Sequence, residues 1–321
     1  MSIELFVWPS DFDLLSFDVE CLQFLAACKF CALPVTIIHT AESSISPTKS
    51  LPNFKITNNG TNEVENITEF PKFVEYARKW AFDLVLDSEL TTAQKFEVDA
   101  YYSYLKKTIY PAIVHLLWED ESNYTTLTHR WYFSKMSFFS KLYKIKDIRE
   151  KELGYIEAKN SSSSDIIKIA MKTIKQLSMK LEDKKYFFGD KPSSLDALIF
   201  GYLAPLLKLP LPSDKLQVYL QGYPNLVRFV ESILSIYLVI PEEQKRLSDK
   251  DKPMWEARKL IAQKEANVRR HFKDQKFNLK GIEDDSNIQI GLFVAGAVFL
   301  SILFGFHAGM IEFNPDKEDD Y

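Results

Sequence analysis

Residues 187–200 read FFGDKPSSLDALIF, and this stretch decides the fold. Ser193 is a favourable helix N-cap, and Asp196 has the spacing of an acid that reaches back to the Ser193 backbone amide. The residues from Ala197 to Phe200 are all apolar, so the helix that begins here is expected to lie at the centre of a domain. Ser193 and Asp196 are therefore predicted to form the cap that defines the fold.

The chain around this cap is predicted to be all-helical from residue 83 to residue 240. Thr91 and Gln94 have the spacing of a capping box, and Pro111 is expected to kink the helix that follows them. Apolar residues recur at helical spacing from Ile166 to Leu181. These patterns predict an all-α subdomain over residues 83–240.

The first 82 residues have a different pattern, in which strands and helices alternate. Residues 3–8 alternate like a strand, and apolar residues from Val19 to Ala26 follow a helical period. Residues 35–38 read as a second strand, and Leu51-Pro52 as a turn that leads into a third. The sequence therefore predicts an α/β subdomain over residues 1–82.

The net charge, the cysteine count and the first residues of the chain limit the expected partners and the expected cellular compartment. The formal net charge of -4 offers no overall basic field, so nucleic acid is not an expected partner. Only three cysteines occur, which is a poor disulfide framework and favours a reducing compartment. The first basic residue is Lys29, after several acids, which is the reverse of an Arg-rich mitochondrial presequence.

A long apolar segment is the strongest local signal. Residues 288–311 contain no charged side chain, and a helix of this length reaches about 36 Å, enough to cross a bilayer core of about 30 Å. The alternative is a buried core helix. The predicted transmembrane anchor includes Ile288, Leu292, Phe293, Val294, Phe299, Leu300, Ile302, Leu303 and Phe304.

The flanks of this anchor predict its orientation. Basic residues precede it and the tail 312–321 is acidic, so the bulk of the protein is expected to face the cytosol. Residues 241–287 are predicted to be a charged, basic linker, and its basic stretch from Arg258 to Lys280 is either a solvated helical linker or lies on anionic headgroups near the membrane. Small residues recur every four positions and form either a helix-packing face or a feature of composition: Ala297, Ser301, Gly305 and Gly309.

Four segments carry a resemblance to a known family: residues 5–9 (LFVWP), Ser16, residues 187–197 (FFGDKPSSLDA) and residues 223–226 (YPNL). With them, the chain resembles the metaxins, and its apolar tail makes it similar to the tail-anchored metaxin-one and metaxin-three branch. The resemblance implies a glutathione-transferase-like fold, with a thioredoxin-like first subdomain and an all-α second one.

The resemblance also implies a function. It places the protein in the mitochondrial outer membrane, in contact with the lipid of that membrane, with a metaxin-two-like partner and the sorting and assembly machinery for β-barrel proteins. The expected role is non-enzymatic and needs no cofactor. A membrane-anchored glutathione-dependent transferase and a transport adaptor that binds motor-adaptor proteins remain alternatives. The acidic tail leaves the endoplasmic reticulum open as a second address.

The residues of a transferase site are only partly present. Ser16, or less plausibly Ser10, could stabilise a thiolate, but Phe70 follows Glu69 where an acid is expected to precede a hydroxyl. Cys28 and Cys31 have redox-motif spacing but lie at a helix C-terminus, where the dipole disfavours a thiolate. We therefore predict no catalytic, cofactor-binding or metal-binding residues, and buried structural roles for the cysteines.

Overall fold

The computed structural model describes residues 1–58, 60, 63–79, 85–157 and 162–279, together with positions 293, 295, 296 and 300. The chain divides into two compact units, residues 1–266 and residues 267–321. Among the described residues, the sheet, eleven α-helices and the first part of a twelfth belong to the first of these units.

The first subdomain is a four-stranded sheet with two helices. Its strands lie in the order β2-β1-β3-β4, with β1 parallel to β2 and antiparallel to β3, and with β4 antiparallel to β3. Leu5 at the centre of the sheet pairs with Ile37 on one side and Phe54 on the other. The elements are β1 Ser2–Val7, α1 Val19–Phe30, β2 Thr36–His39, β3 Asn53–Thr57, β4 Val64–Ile67 and α2 Phe70–Lys79.

Helix α1 is apolar on nearly all of its faces because it contacts both α2 of the sheet subdomain and a central helix of the second subdomain. Asp18 is its N-cap, and its carboxylate accepts a hydrogen bond from the Cys21 amide at 2.9 Å. The peptide bond between Leu51 and Pro52, just before β3, is cis.

The second subdomain is all-helical, as the sequence predicts. Helix α3 ends at Thr108 and α4 begins at Tyr110, because Pro111 cannot donate a hydrogen bond inside a continuous helix. Single π-helical turns at His115–Glu119 and Tyr124–Thr128 follow. The α-helices are α3 Thr92–Thr108, α4 Tyr110–Val114, α5 Glu121–Asn123, α6 His129–Lys135, α7 Phe138–Glu157, α8 Ser163–Leu181, α9 Ser194–Lys208, α10 Lys215–Gln221 and α11 Pro224–Ile236.

Helix α9 is the buried centre of the second subdomain. The Asp196 carboxylate, itself fully buried, accepts hydrogen bonds from the backbone amides of Ser193 and Phe187, each at 2.8 Å. Burial raises the pKa of Asp196 to about 6, although these donors oppose the shift. The carboxylate thereby joins the start of α9 to the turn that precedes it.

A long helix, α12 at Glu242–Leu279, follows α11 and includes Pro253. Its first half packs on the loop after β1. Ser10 Oγ donates to Gln244 Oε1 at 3.0 Å, and Trp255 is buried with its ring centroid 5.4 Å from that of Phe12. No helix within the described ranges is both long enough and apolar enough to cross a bilayer.

Candidate functional site: the cleft at the start of helix α1

A cleft of about 620 Å³ opens where the sheet subdomain meets the helical subdomain. The start of α1 and the loop before β3 line one side, and helices α3, α4 and α7 line the other. Its apolar lining combines aliphatic side chains with aromatic rings, which include Trp8, Phe17, Trp118 and Tyr132. Its charged lining consists of four acids, Asp18, Glu20, Asp147 and Glu152, and four lysines, Lys49, Lys106, Lys144 and Lys151.

Two acids occupy the N-terminal end of α1. Asp18 caps the helix and Glu20 lies in its first turn, where the partial positive charge of the backbone amides favours a carboxylate. Desolvation nevertheless raises the pKa of both groups, and the nearby charge of Asp18 adds to the shift of Glu20, whose pKa rises to about 7. The surroundings of the start of α1 therefore disfavour further negative charge.

A third acid faces this pair from α7. Tyr110 Oη donates to Glu152 Oε2 at 2.6 Å, and burial raises the pKa of Glu152 despite that hydrogen bond. The charges of Lys106 and Lys151 act in the opposite direction and lower the pKa of both Glu20 and Glu152. Acids and lysines are equal in number around the cleft, so the place where an added anion is disfavoured is the start of α1, beside Asp18 and Glu20.

The two serines considered as thiolate partners do not serve this cleft. Ser16 is fully buried, does not line the cavity, and its Oγ accepts from the Asp18 amide at 3.4 Å. Ser10 instead donates to Gln244 on α12. Neither hydroxyl is positioned to meet a ligand in the cleft.

Phe70 occupies the position where the resemblance implies a hydroxyl, and its side chain is buried. Its ring centroid lies 5.9 Å from that of Phe24 on α1 and 6.4 Å from that of Phe73. The ring is therefore part of the core between α1 and α2, and it offers no hydrogen-bond partner to a ligand.

The cysteines lie away from the cleft or deep in the core. All three are free thiols, and burial raises the pKa of each, that of Cys31 to about 11. Cys31 Sγ donates to the Ala27 carbonyl at 3.2 Å, at the C-terminal end of α1. Within the described part of the chain, no group of three or more metal-type ligands comes together.

Most residues of the predicted anchor lie outside the described part of the chain. Of the anchor residues, Phe293 and Leu300 are described and are exposed. The others that lie outside are Ile288, Leu292, Val294, Phe299, Ile302, Leu303 and Phe304, and with them the small residues Ala297, Ser301, Gly305 and Gly309.

Two family models match separate parts of the chain. Residues 21–149 match the family described as "Outer mitochondrial membrane transport complex protein". Residues 170–233 match "Glutathione S-transferase, C-terminal domain". The first match begins in α1 and includes the helical wall of the cleft up to Arg149, and the second includes the buried helix α9.

A protein of Caenorhabditis briggsae described as "Metaxin-1 homolog" is 41% identical over 98% of this chain and 99% of its own length. The chain belongs to the metaxin family. Human "Metaxin-1" is 31% identical over 73% of this chain, and the match covers 51% of the human protein. This metaxin thus spans about half the length of its human relative.

Among solved structures, this metaxin is similar to glutathione transferase GSTFuA3 of Phanerochaete chrysosporium. The TM-score is 0.54, with 12% sequence identity over 75% of this chain and 99% of the other. At that identity the likeness shows the fold alone. The metaxin has a glutathione-transferase-like fold with a mixed sheet followed by a helical domain.

The acids of the cleft are the part of the site that sequence reasoning missed. Asp18 lies just before the first apolar residue of α1, which is the usual place of an N-cap. Its role as the cap could therefore have been predicted from the sequence. Glu152 lies more than a hundred residues away on α7, and only the fold brings it opposite Glu20.

Proposed function

We propose that this metaxin is a non-enzymatic subunit of the machinery that imports and assembles proteins at the mitochondrial outer membrane, and that it acts through protein contacts. The family match to an outer mitochondrial membrane transport complex protein supports the location and the class of process. The observation that carries the non-enzymatic part is the lining of the cleft at the start of α1, which presents two carboxylates and not the hydroxyl of the buried Ser16.

A glutathione transferase activates its cosubstrate as a thiolate, which is an anion. In this fold the stabilisation would come from a hydroxyl and from the positive end of α1. Here the Asp18 carboxylate accepts from the Cys21 amide at that end, and Glu20 has a pKa of about 7. A thiolate placed beside these acids would be destabilised, and the pKa of the bound thiol would rise rather than fall.

The finer points of the proposal come from the sequence and the resemblance. A metaxin-two-like protein and the β-barrel sorting and assembly machinery are the proposed partners. Residues 288–311 are the proposed membrane anchor, with the bulk of the chain on the cytosolic side. The small residues from Ala297 to Gly309 are the proposed contact face within the bilayer.

Conjugation kinetics test the absence of catalysis. The full-length chain in neutral detergent, given glutathione and a reactive electrophile, is expected to show no rate above the uncatalysed reaction. Neutralising the acids with Asp18→Asn and Glu20→Gln is expected to leave that result unchanged, since Ser16 is buried away from the cleft. Turnover that disappears on Ser16→Ala would establish the transferase instead.

Co-purification tests the assembly role. The tagged full-length chain is expected to bring a second metaxin and β-barrel assembly subunits with it from detergent-solubilised mitochondria. A matched chain that lacks residues 288–321 is expected to be released from membranes by alkaline extraction. If the truncated chain resists extraction, the anchor assignment is wrong, and if no stable partner co-purifies, the assembly role is wrong.

A further inference from the structure

A second cavity, of about 740 Å³, was not part of the sequence prediction. One wall is formed by the π-helical turn at Tyr124–Thr128 and by α6, and the other by α12. We call it the α6–α12 pocket. It is lined by Asp11, Tyr124, Thr125, His129, Arg130, Phe133, Ser134, Lys135, Asp251, Met254, Trp255 and Arg258.

Two guanidinium groups, those of Arg130 and Arg258, line this pocket, and neither forms an ion pair among the described residues. Arg130 uses one N–H, which donates to the Thr125 carbonyl at 3.1 Å. Arg258 lies over the ring of Trp255, 5.0 Å from the ring centroid, and forms no ion pair within the described part of the chain. Burial and the charge of Arg130 both lower the pKa of Arg258, so the two arginines repel each other.

The acids that face the pocket do not neutralise this pair. Asp11 is already engaged: its carboxylate accepts from Trp131 Nε1 at 3.0 Å and forms an ion pair with Lys135 at 3.1 Å. Asp251 is exposed on α12 and raises the pKa of Arg258 from a distance, without an ion pair among the described residues. The pocket is thus left with an excess positive charge.

A buried donor points to the same kind of ligand. Trp255 is only 5% exposed and lines the pocket, yet its indole Nε1 has no hydrogen-bond acceptor among the described residues. A buried N–H without an acceptor is costly, and nearly all such groups are paired in folded proteins. An oxyanion in the pocket would accept from this N–H and from both guanidinium groups.

We propose that the α6–α12 pocket binds the phosphate group of an anionic membrane phospholipid, held by Arg130, Arg258 and the indole N–H of Trp255. A lipid is favoured over free phosphate because two apolar side chains of the lining are exposed to solvent, Phe133 at 49% and Met254 at 39%. Exposed aromatic and aliphatic side chains beside two cationic groups suit the interface of a bilayer, where lipid headgroups adjoin the acyl chains. The inference is independent of the import role.

The test is calorimetric titration of the full-length chain in neutral detergent micelles. Micelles doped with phosphatidic acid are expected to bind at least roughly tenfold more tightly than glycerol phosphate or inorganic phosphate. Arg130→Gln and Arg258→Gln are each expected to weaken lipid binding roughly tenfold, as expected for loss of a charge-assisted contact. The matched control is Lys250→Gln, which removes the same charge from an exposed site on α12 outside the pocket.

Trp255→Phe separates binding from folding. The ring is retained and the unsatisfied N–H is removed, so the variant is expected to unfold at the same or a higher denaturant concentration while it binds lipid more weakly. If the arginine variants bind like Lys250→Gln, the pocket is not the site. Equal affinity for inorganic phosphate would assign a soluble ligand, and tighter binding of a phosphoserine peptide would assign a protein ligand; either result overturns the lipid proposal.

Discussion

Gly201 on α9 lies so close to Gln23 on α1 that a Cβ atom at position 201 would be 2.3 Å from Gln23 Cγ and 2.8 Å from the Val19 carbonyl oxygen. The Gln23 amide donates to the Leu198 carbonyl at 3.2 Å across the same contact. The backbone of α9 at Gly201 therefore packs directly against the Gln23 side chain of α1. The two helices can approach this closely because Gly201 has no side chain.

Gly201→Ala is expected to destabilise the protein by about 1 to 3 kcal/mol because the added methyl group would force α1 and α9 apart. Urea unfolding measures this change. Gly154→Ala on α7 is the matched control, since a Cβ there meets no atom within 4 Å and alanine favours a helix. Equal free energies of unfolding for the two variants would show that α1 and α9 accommodate the added methyl group without loss of stability.

Glu20→Gln is expected to remove much of the pH dependence of stability between about pH 4.5 and pH 7. The folded-state pKa of Glu20 is raised from 4.5 to about 7, so the folded protein holds this proton more tightly than the unfolded chain. The free energy of unfolding of the wild type therefore falls as the pH rises through this window.

At pH 8 the Glu20→Gln variant should be more stable than the wild type by about 1 to 3 kcal/mol. This range allows for screening by water in the cleft. Unfolding curves at pH 5 and pH 8 measure the effect. Glu150→Gln, at an exposed position on α7, is the control for loss of one acid. A wild-type stability that rises from pH 5 to pH 8 relative to Glu20→Gln would contradict the raised pKa.

Asp87→Ala is expected to cost about 3 to 5 kcal/mol. Its buried carboxylate accepts from the Ser194 amide at 2.8 Å and from Arg78 Nε at 2.9 Å, so the loss would leave buried donors without an acceptor. Glu89→Ala is the matched control, because its ion pair with Lys191 is exposed and should contribute less than about 1 kcal/mol. Similar unfolding midpoints for the two variants would show that the Asp87 network contributes little.

The cysteines are expected to react slowly with a thiol reagent in the native protein. Cys21, Cys28 and Cys31 are all buried, and burial raises their pKa, so little thiolate forms at neutral pH. Labelling should be at least roughly tenfold faster in denaturant than in buffer. Rapid native labelling of Cys28 or Cys31 would instead indicate an accessible, reactive pair.

The sequence was sufficient for the fold because local signals agree with the packing. The apolar run from Ala197 to Phe200 lies in the most buried helix, and the turn at Leu51-Pro52 leads into β3. The cleft was harder to predict, because Glu20 and Glu152 meet only through tertiary contacts. The α6–α12 pocket was also hidden, since the charged α12 has the composition of a solvated linker although Trp255 is buried against Phe12.

The pKa of Glu20 near 7 gives the cleft a proton that is about half-dissociated at neutral pH. A charged ligand that binds beside Glu20 would shift this pKa and so exchange protons with the solvent. A cationic ligand would favour the ionised carboxylate and release part of this proton, whereas an anionic ligand would favour the protonated form and complete its protonation. The heat of binding would then depend on the ionisation enthalpy of the buffer. The sign of the change in binding heat between buffers would therefore indicate whether an unidentified ligand is cationic or anionic.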